Sequence, residues 1–388
     1  MQAVILAAGR GRRLGKLTEK IPKCMIKINE KPIIETCLEN LYKVGIKDIV
    51  LVVGHGKEIL IDFILEKFGE KLKFKFIENR DYKRTNNIYS LYLVKELLEK
   101  EDTLLIESDV VYEVSILEKL LDDKREVIAV VDKYKSWMDG TVVKVDEEEN
   151  ITAFIPKEFF DYDEIDEYYK TVNIYKFSKE FLRDVYIPFL RAYIEVFGKN
   201  QYYELVLRVI SALERANIKA LKLKGEKWYE IDTPQDIRNA ECLFSESTER
   251  KLMNVSKRYG GYWRFPHIKD FCYLVNPYFP TEKMYAEMKT YFEDLISRYP
   301  STLNVQNSLL SLLFETKEEY ITAGNGASEL IKALANSLDM KAGVMCPTFN
   351  EYIECFTGIK TYKPKNKDYS YTAKYIADEF KDVERHSD

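Results

Sequence analysis

Histidine is scarce, with three among 388 residues, and the six cysteines (Cys24, Cys37, Cys242, Cys272, Cys346, Cys355) are scattered with no CxxC spacing. That argues against a zinc site and against a disulfide framework, and makes a reduced, cytoplasmic protein the default. No apolar run reaches the ~18 residues that a bilayer span requires. The N-terminus does not read as a signal peptide, because the arginines follow the first apolar run instead of preceding it. A net charge of −5 leaves no general basic excess for nucleic acid or a membrane surface. No Gly-Lys-Ser/Thr follows the first glycine-rich loop, which excludes a P-loop. No acidic residue ends a second strand, as a dinucleotide fingerprint needs.

What the chain does have is concentrated at its start. The apolar run Ala3–Ala7 passes through Ala8 into Gly9-Arg10-Gly11-Arg12-Arg13-Leu14-Gly15, and Pro22-Lys23 follow. Glycines let a backbone turn sharply and bring its N–H groups close to a ligand. Arg10, Arg12, Arg13 and Lys23 add positive charge at the same place. The combination suits a polyphosphate, although the glycines alone fit an ordinary strand–loop turn equally well.

The length suggests two domains. In the first half, apolar strands (Ala3–Ala7, Asp48–Gly54, Phe74–Glu78, Thr103–Ile106) alternate with helices striped by Ile34, Leu38, Leu41 and by Leu60, Ile64, Phe68. A further helix is expected from about Asn87 to Lys100. This alternation predicts an α/β fold: a doubly wound, mainly parallel sheet with helices on both faces. Val127–Val131, Thr141–Val145 and Thr171–Tyr175 predict a small antiparallel insertion, followed by helices at Lys179–Phe197 and Tyr202–Ala216. Ligands on such sheets sit at the carboxyl ends of the strands. Asp109 and Asp232 each follow a buried strand, so they can share a site with the glycine–arginine loop. Mg²⁺ takes one or two carboxylates plus substrate phosphates, so this set points to nucleotidyl or phosphoryl transfer.

Leu6-Ala7-Ala8-Gly9-x-Gly11-x-x-Leu14 with Pro22-Lys23 resembles the signature of the sugar-phosphate nucleotidyltransferase superfamily. Tyr82–Ser90 (YKRTNNIYS), Asp109-Val110-Val111 and Tyr229-Glu230-Ile231-Asp232 are similar to its phosphocholine cytidylyltransferase branch. The resemblance covers about residues 1–245. It implies a nucleotide-diphospho-sugar transferase-like, Rossmann-like fold. It also implies that Leu6, Ala7, Ala8, Gly9, Gly11, Lys23, Thr85, Asn86, Asn87, Ser108 and Asp109 bind CTP, that Lys23 and Arg13 are catalytic, and that Asp109 and Asp232 hold Mg²⁺. In that family a phosphate-type oxygen attacks the α-phosphorus and releases pyrophosphate. Such an oxygen is already nucleophilic, so scarce histidine is no obstacle. For the acceptor, Trp137, Tyr175, Tyr203 and Glu204 fall where the family places an aromatic cage and its acidic partner, and Asp139 and Glu195 offer further carboxylates. A quaternary ammonium prefers a cage, whereas a primary ammonium uses carboxylates better.

Asn276-Pro277-Tyr278, Tyr320–Ile331 and Cys346–Phe349 resemble the N-terminal part of a fold-type I, class I/II aminotransferase. There Gly326, Ala327 and Ser328 would cradle the phosphate of pyridoxal 5′-phosphate, as helix N-termini do. The other cofactor-binding residues of that family are expected beyond Asp388, so this chain is not expected to transaminate by itself. The expected organisation is a nucleotidyltransferase domain at 1–245, a linker at 246–260 and an incomplete aminotransferase-like domain at 261–388, with homodimerisation through that last part. The fused pair resembles the bifunctional 2-aminoethylphosphonate cytidylyltransferase/aminotransferase family. That resemblance implies CTP and 2-aminoethylphosphonate as substrates. Phosphocholine as acceptor, a sugar-1-phosphate nucleotidyltransferase and a nucleotide-sensing scaffold are the alternatives.

Overall fold

Strand β1 (Gln2–Ala7) is buried at every position, and its alternate residues serve two cores. Ala3, Ile5 and Ala7 face one layer of helices, while Val4, Leu6 and Ala8 face the other. That period of two is why an unbroken apolar run folds here as a central strand. In the computed structural model, residues 1–135, 137–256, 269, 271, 275–338 and 342–379 are described. Two compact units divide the chain at Val275.

In the first unit the short hairpin β2 (Lys27–Ile28) and β3 (Lys31–Pro32) leads into helix α1 (Ile33–Lys43). Then come β4 (Asp48–Val53), α2 (Lys57–Phe68), β5 (Lys73–Glu78), α3 (Asn87–Leu93), α4 (Lys95–Leu98) and β6 (Thr103–Glu107). β1 pairs in parallel with β4 on one side and β6 on the other, and β4 pairs in parallel with β5. Leu6 is in register with both Val52 and Glu107, so three loops leave the same sheet edge together. The single helix expected over residues 87–100 is instead two. Val94 is anchored in the core, and its N–H turns back to Leu91 O (3.2 Å), which breaks the helical run.

The remaining elements are β7 (Val110–Tyr112), α5 (Val114–Asp122), β8 (Val127–Lys133), β9 (Val142–Val145), β10 (Ile151–Ile155) and β11 (Tyr168–Phe177). After them come α6 (Lys179–Phe181), α7 (Ile187–Phe197), α8 (Glu204–Ala212), β12 (Lys219–Lys222), β13 (Trp228–Glu230), α9 (Pro234–Leu243) and α10 (Thr248–Ser256). The antiparallel strands do not stand apart as a lid. β11 runs antiparallel to β6, β8 and β9, so one nine-stranded sheet contains them. A π-turn at Leu182–Tyr186 interrupts the helix expected from Lys179, just ahead of Pro188, which has no N–H to donate. The first part of the expected linker is helical as α10; residues 257–260 of it, and Cys272, lie outside the described residues.

The second unit holds α11 (Glu282–Thr290), α12 (Phe292–Ser297), α13 (Leu303–Leu313), α14 (Ala327–Ser337), β14 (Gly343–Met345), α15 (Asn350–Cys355), β15 (Lys360–Tyr362) and α16 (Ala373–Glu379). β14 and β15 pair in parallel. Much of its apolar surface is exposed, including Leu312, Leu313 and Phe314 at the end of α13.

Candidate active site

The loop that follows β1 is braced by a second loop at the end of β4. Gly54 packs so close that a Cβ would lie 2.8 Å from Ala8 O. His55 N–H donates to Ala8 O, and its ring Nε2 lies 2.8 Å from Thr18 O. A carbonyl only accepts, so that ring nitrogen carries the proton. Thr18 Oγ1 in turn donates to Gly11 O (2.9 Å). Gly56 and Gly11 both sit in the left-handed region (φ 62 and 61). A Cβ on Gly56 would lie 2.7 Å from Pro22 Cδ, and one on Gly11 would lie 3.1 Å from Lys23 Cβ. The stem of Lys23 is therefore aimed by backbone. Sequence reasoning did not single out Gly54-His55-Gly56. Its signal was positional: two glycines at the carboxyl end of a parallel strand.

Lys23 reaches an acidic cluster assembled from opposite ends of the first unit. Asp109 lies in the turn between β6 and β7, and Asp232 follows β13. Pairing of β13 with β7 sets Glu230 opposite Val110, and Ile231 N–H donates to Asp109 O (3.0 Å). The backbone N–H groups of Asp232 and Thr233 both donate to Asp236 Oδ2 (3.1 and 2.6 Å), which pins the start of α9 beneath the site. Lys23 Nζ makes a short ion pair with Asp109 and another with Asp232 Oδ1 (2.7 Å). Arg13 Nη2 also meets Asp232 (2.7 Å). Burial pulls the Lys23 ammonium down, but Asp109 and Asp232 outweigh it and hold its pKa above the ordinary lysine range.

Glu230, which the sequence reading left without a role, completes the cluster. One oxygen each of Asp109, Glu230 and Asp232 lies within 4.8 Å of the others. The all-oxygen donor set fits Mg²⁺, and buried Asp109 Oδ1 has no hydrogen-bond partner, so a donor atom remains available to an ion. Glu230 is held by Asn173 Nδ2 (3.2 Å) and by buried Lys170 (3.4 Å). Asn173 adopts φ 62 where the register of β11 against β8 shifts, which turns its side chain toward Glu230. Burial raises the Glu230 pKa, and Lys170 partly offsets that rise. The signal that would have found Glu230 is its spacing from Asp232, since residues two apart on an extended chain share a face.

The remaining expected nucleotide residues cluster along one edge. Leu6, Ala7, Ala8 and Ser108 are buried at the ends of β1 and β6. Asn86 Oδ1 accepts from Asn87 N at the start of α3. Asn87 is a bridge: Nδ2 donates to Glu107 Oε1 (2.9 Å) and Oδ1 accepts from Tyr203 N (3.0 Å). Thr85 Oγ1 accepts from Asn79 and donates to Asp81 O. Gly9 has open space where a Cβ would stand.

Beside the acidic cluster lies a cavity of about 220 Å³, lined by Arg13, Trp137, Asp139, Lys170, Glu230 and Asp232 among others. Trp137 stacks flat on Tyr229, with centroids 4.8 Å apart and planes 2° from parallel. Asp139 pairs with Lys157 (2.8 Å) and lies 3.7 Å from Arg13. Four expected acceptor residues are placed elsewhere. Tyr175 and Tyr203 are fully buried, ring edge against ring face at 5.8 Å, in the core between the sheet and α8. Tyr175 and Phe177 share a strand face, and that face points into the core. Glu195 is exposed on α7, on the side away from its buried Ile187 and Leu190. Glu204 opens α8 and is buried, but it does not line the cavity. One of its carboxylate oxygens has no hydrogen-bond partner, and burial pushes its pKa up to about 7. In the second unit, Gly326 (φ 84) caps α14, with Ala327 and Ser328 in its first turn and exposed.

Residues 2–245 match the nucleotidyl transferase family model, well over half of the chain. The chain belongs to the nucleotidyl transferase family. It is 30% identical over 356 residues to the CMP-5′-(3-aminopropyl)phosphonate synthase of Streptomyces rubellomurinus, covering 91% of this chain and 55% of that protein. It is 37% identical over 109 residues to the 2-aminoethylphosphonate cytidylyltransferase of Lancefieldella rimae, covering 28% of this chain and 43% of that one. The chain thus spans about half the length of these two curated relatives. The solved CTP:phosphocholine cytidylyltransferase of Streptococcus pneumoniae superposes with a TM-score of 0.53 at 26% identity, over 62% of this chain and 97% of that structure. The nucleotidyl transferase fold is a mainly parallel α/β sheet, as the strand pattern predicts. Among the described residues, no helix is long and apolar enough to cross a membrane.

Proposed function

We propose that this nucleotidyl transferase moves CMP from CTP to a phosphonate or phosphate oxygen of a small amine-bearing acceptor, with 2-aminoethylphosphonate preferred. The observation that carries the reading is the Lys23–Asp109–Asp232 constellation, set at the mouth of a cavity walled by carboxylates. An ionised acceptor oxygen attacks the α-phosphorus in line and forms a new P–O bond. The bond from the α-phosphorus to the bridging oxygen breaks, and pyrophosphate leaves with that electron pair. A dianionic acceptor has no proton to lose, so the three histidines of the chain are not needed as bases. Lys23 and Arg13 supply fixed positive charge where negative charge develops. Backbone N–H groups from Gly9 to Gly11 hold the triphosphate. Mg²⁺ held by Asp109 and Asp232 would neutralise phosphate charge and orient the α-phosphate.

The cavity wall favours a primary amine over a quaternary one. Three aromatics line the cavity, but Trp137 lies flat on Tyr229, and Trp228 is buried with its indole N–H committed to Asp132 (2.9 Å). Tyr175 and Tyr203 are committed to the core, so these faces do not close around a ligand. A quaternary ammonium without an aromatic cage loses its main attraction. Three N–H donors, by contrast, match Asp139 and Glu230. The two aminophosphonate relatives point the same way, and so does the proposal that residues 261–388 belong to an aminotransferase-like domain that would furnish such an amine. Of a pyridoxal phosphate site, Gly326–Ser328 match only a phosphate cradle, so no transamination step is assigned to this chain.

The test is pyrophosphate release with CTP, Mg²⁺ and 2-aminoethylphosphonate, 3-aminopropylphosphonate or phosphocholine as acceptor. Strong preference for phosphocholine overturns the primary-amine reading. Release with UTP or dTTP and a hexose 1-phosphate replaces it with sugar activation. CTP binding without turnover on any acceptor replaces it with a sensing role.

A further inference from the structure

We infer that Lys23 has a second task in the free protein: its ammonium stands in the cation position of the acidic cluster and keeps the divalent ion out until a triphosphate draws it away. The inference rests on the nucleotidyl-transfer reading of this site. Lys23 Nζ contacts two of the three carboxylates that lie within 4.8 Å of one another, at 2.7 Å from Asp232 and closer still to Asp109. Mg²⁺ binds oxygens at about 2.1 Å, so an ion on those same two carboxylates competes directly with the ammonium for them. The side chain is nearly buried, its stem packs against Gly11, and the preceding Pro22 is held against Gly56, so its position is built in.

Charge counting points the same way. Each of Asp109, Glu230 and Asp232 already has a cationic partner: Lys23 serves Asp109 and Asp232, Arg13 also meets Asp232, and Lys170 meets Glu230. A divalent ion brought to carboxylates that are already paired adds two positive charges beside Lys23, Arg13 and Lys170 in a half-buried pocket. A triphosphate on the Gly9–Gly11 loop reverses the situation. It offers Lys23 and Arg13 new anionic partners, releases Asp109 and Asp232, and supplies oxygen ligands of its own. Metal and nucleotide therefore bind with positive coupling, and Lys23 is the element that couples them.

The test measures Mn²⁺ alone, by electron paramagnetic resonance titration of the whole chain, without and with CTP. Lys23→Met and Lys23→Gln are compared with wild type, and circular dichroism verifies their folding. Removing the ammonium is expected to tighten Mn²⁺ binding without nucleotide by about tenfold, within the usual range of site–site coupling. The gain that CTP brings is expected to shrink in both variants. Lys23→Arg keeps a cation and is expected to keep metal binding weak. Unchanged or weaker Mn²⁺ affinity in folded Lys23→Met and Lys23→Gln overturns the inference. If wild type transfers CMP while metal affinity ignores Lys23, only this inference falls. If no acceptor supports pyrophosphate release yet metal binding tightens, the transfer reading falls and the counter-ion role stands.

Discussion

Replacing Glu204 with glutamine removes a buried carboxyl whose pKa burial pushes up to about 7, against an ordinary 4.5. Its surroundings include Lys170, which favours the charged form, and Glu230 and Asp109, which oppose it; Glu107, Tyr175 and Tyr203 lie in the same field. The unfolded chain releases the Glu204 proton near 4.5, while the folded chain holds it to about 7. Between those values the folded state binds more protons, so stability falls as pH rises. The loss begins near pH 4.5 and is complete above pH 7. A shift of roughly 2.5 units, the difference between the two values, corresponds to about 3 kcal/mol. Glutamine fills the same space without charge. Glu204→Gln is therefore expected to match wild type near pH 5 and to exceed it by up to about 3 kcal/mol at pH 8.5. Urea unfolding followed by tryptophan fluorescence reads this out, because Trp137 and Trp228 report on the first unit. With a slope of about 3 kcal/mol/M, the midpoint should move by about 1 M at pH 8.5 and little at pH 5. An equal displacement at both pH values, or a loss of stability at pH 8.5, refutes the reasoning.

Asp109→Ala and Asp232→Ala are each expected to abolish Mg²⁺-dependent pyrophosphate release; a near-wild-type rate in either removes that residue from the metal site. Gly56→Ala forces a Cβ against Pro22 from a left-handed backbone. It should cost roughly 1–3 kcal/mol in stability and lower kcat by misplacing Lys23; thermal melting and steady-state kinetics check both, and a wild-type kcat contradicts the brace. Trp137→Ala strips one face of the cavity. It is expected to raise KM for the acceptor about tenfold, a loss of about 1.4 kcal/mol, with KM for CTP unchanged; equal changes in both would place Trp137 on the nucleotide side.

The parallel half of the sheet was readable because β1, β4 and β6 are buried on both faces, so their apolar runs are continuous. β10 and β12 escaped notice because Ile151–Ile155 and Lys219–Lys222 mix polar and apolar positions at a sheet edge, where only pairing with β9 and β8 makes them strands. Within the site, Lys23, Asp109 and Asp232 carry recognisable spacing relative to strand ends. Lys170 does not. It is a lysine inside a strand, and its burial follows from Gly140 and Glu230 packing against it from distant parts of the chain. Tyr175, Tyr203, Glu195 and Glu204 stand away from the cavity for a related reason. Residue type identifies what can hold an ammonium, but placement decides what lines a cavity, and the burial of Tyr175, Tyr203 and Glu204 and the exposed face of Glu195 set these four elsewhere.

The reversal of direction at β11 separates two jobs along the chain. Because β11 runs against β6, its beginning, not its end, arrives at the carboxyl edge of the parallel strands. Lys170 and Asn173 therefore enter the site from a stretch that starts at Trp137 and passes through strands β9 and β10 at one edge of the sheet and the loops around Lys157 and Glu164. The loops proposed to grip the triphosphate leave β1, β4 and β6, which are locked into the core. In the proposed reading, acceptor choice then falls to side chains from residues 137–173. Their strands are part of the same nine-stranded sheet, so a change of acceptor means exchanging residues on that frame and not attaching a separate lid.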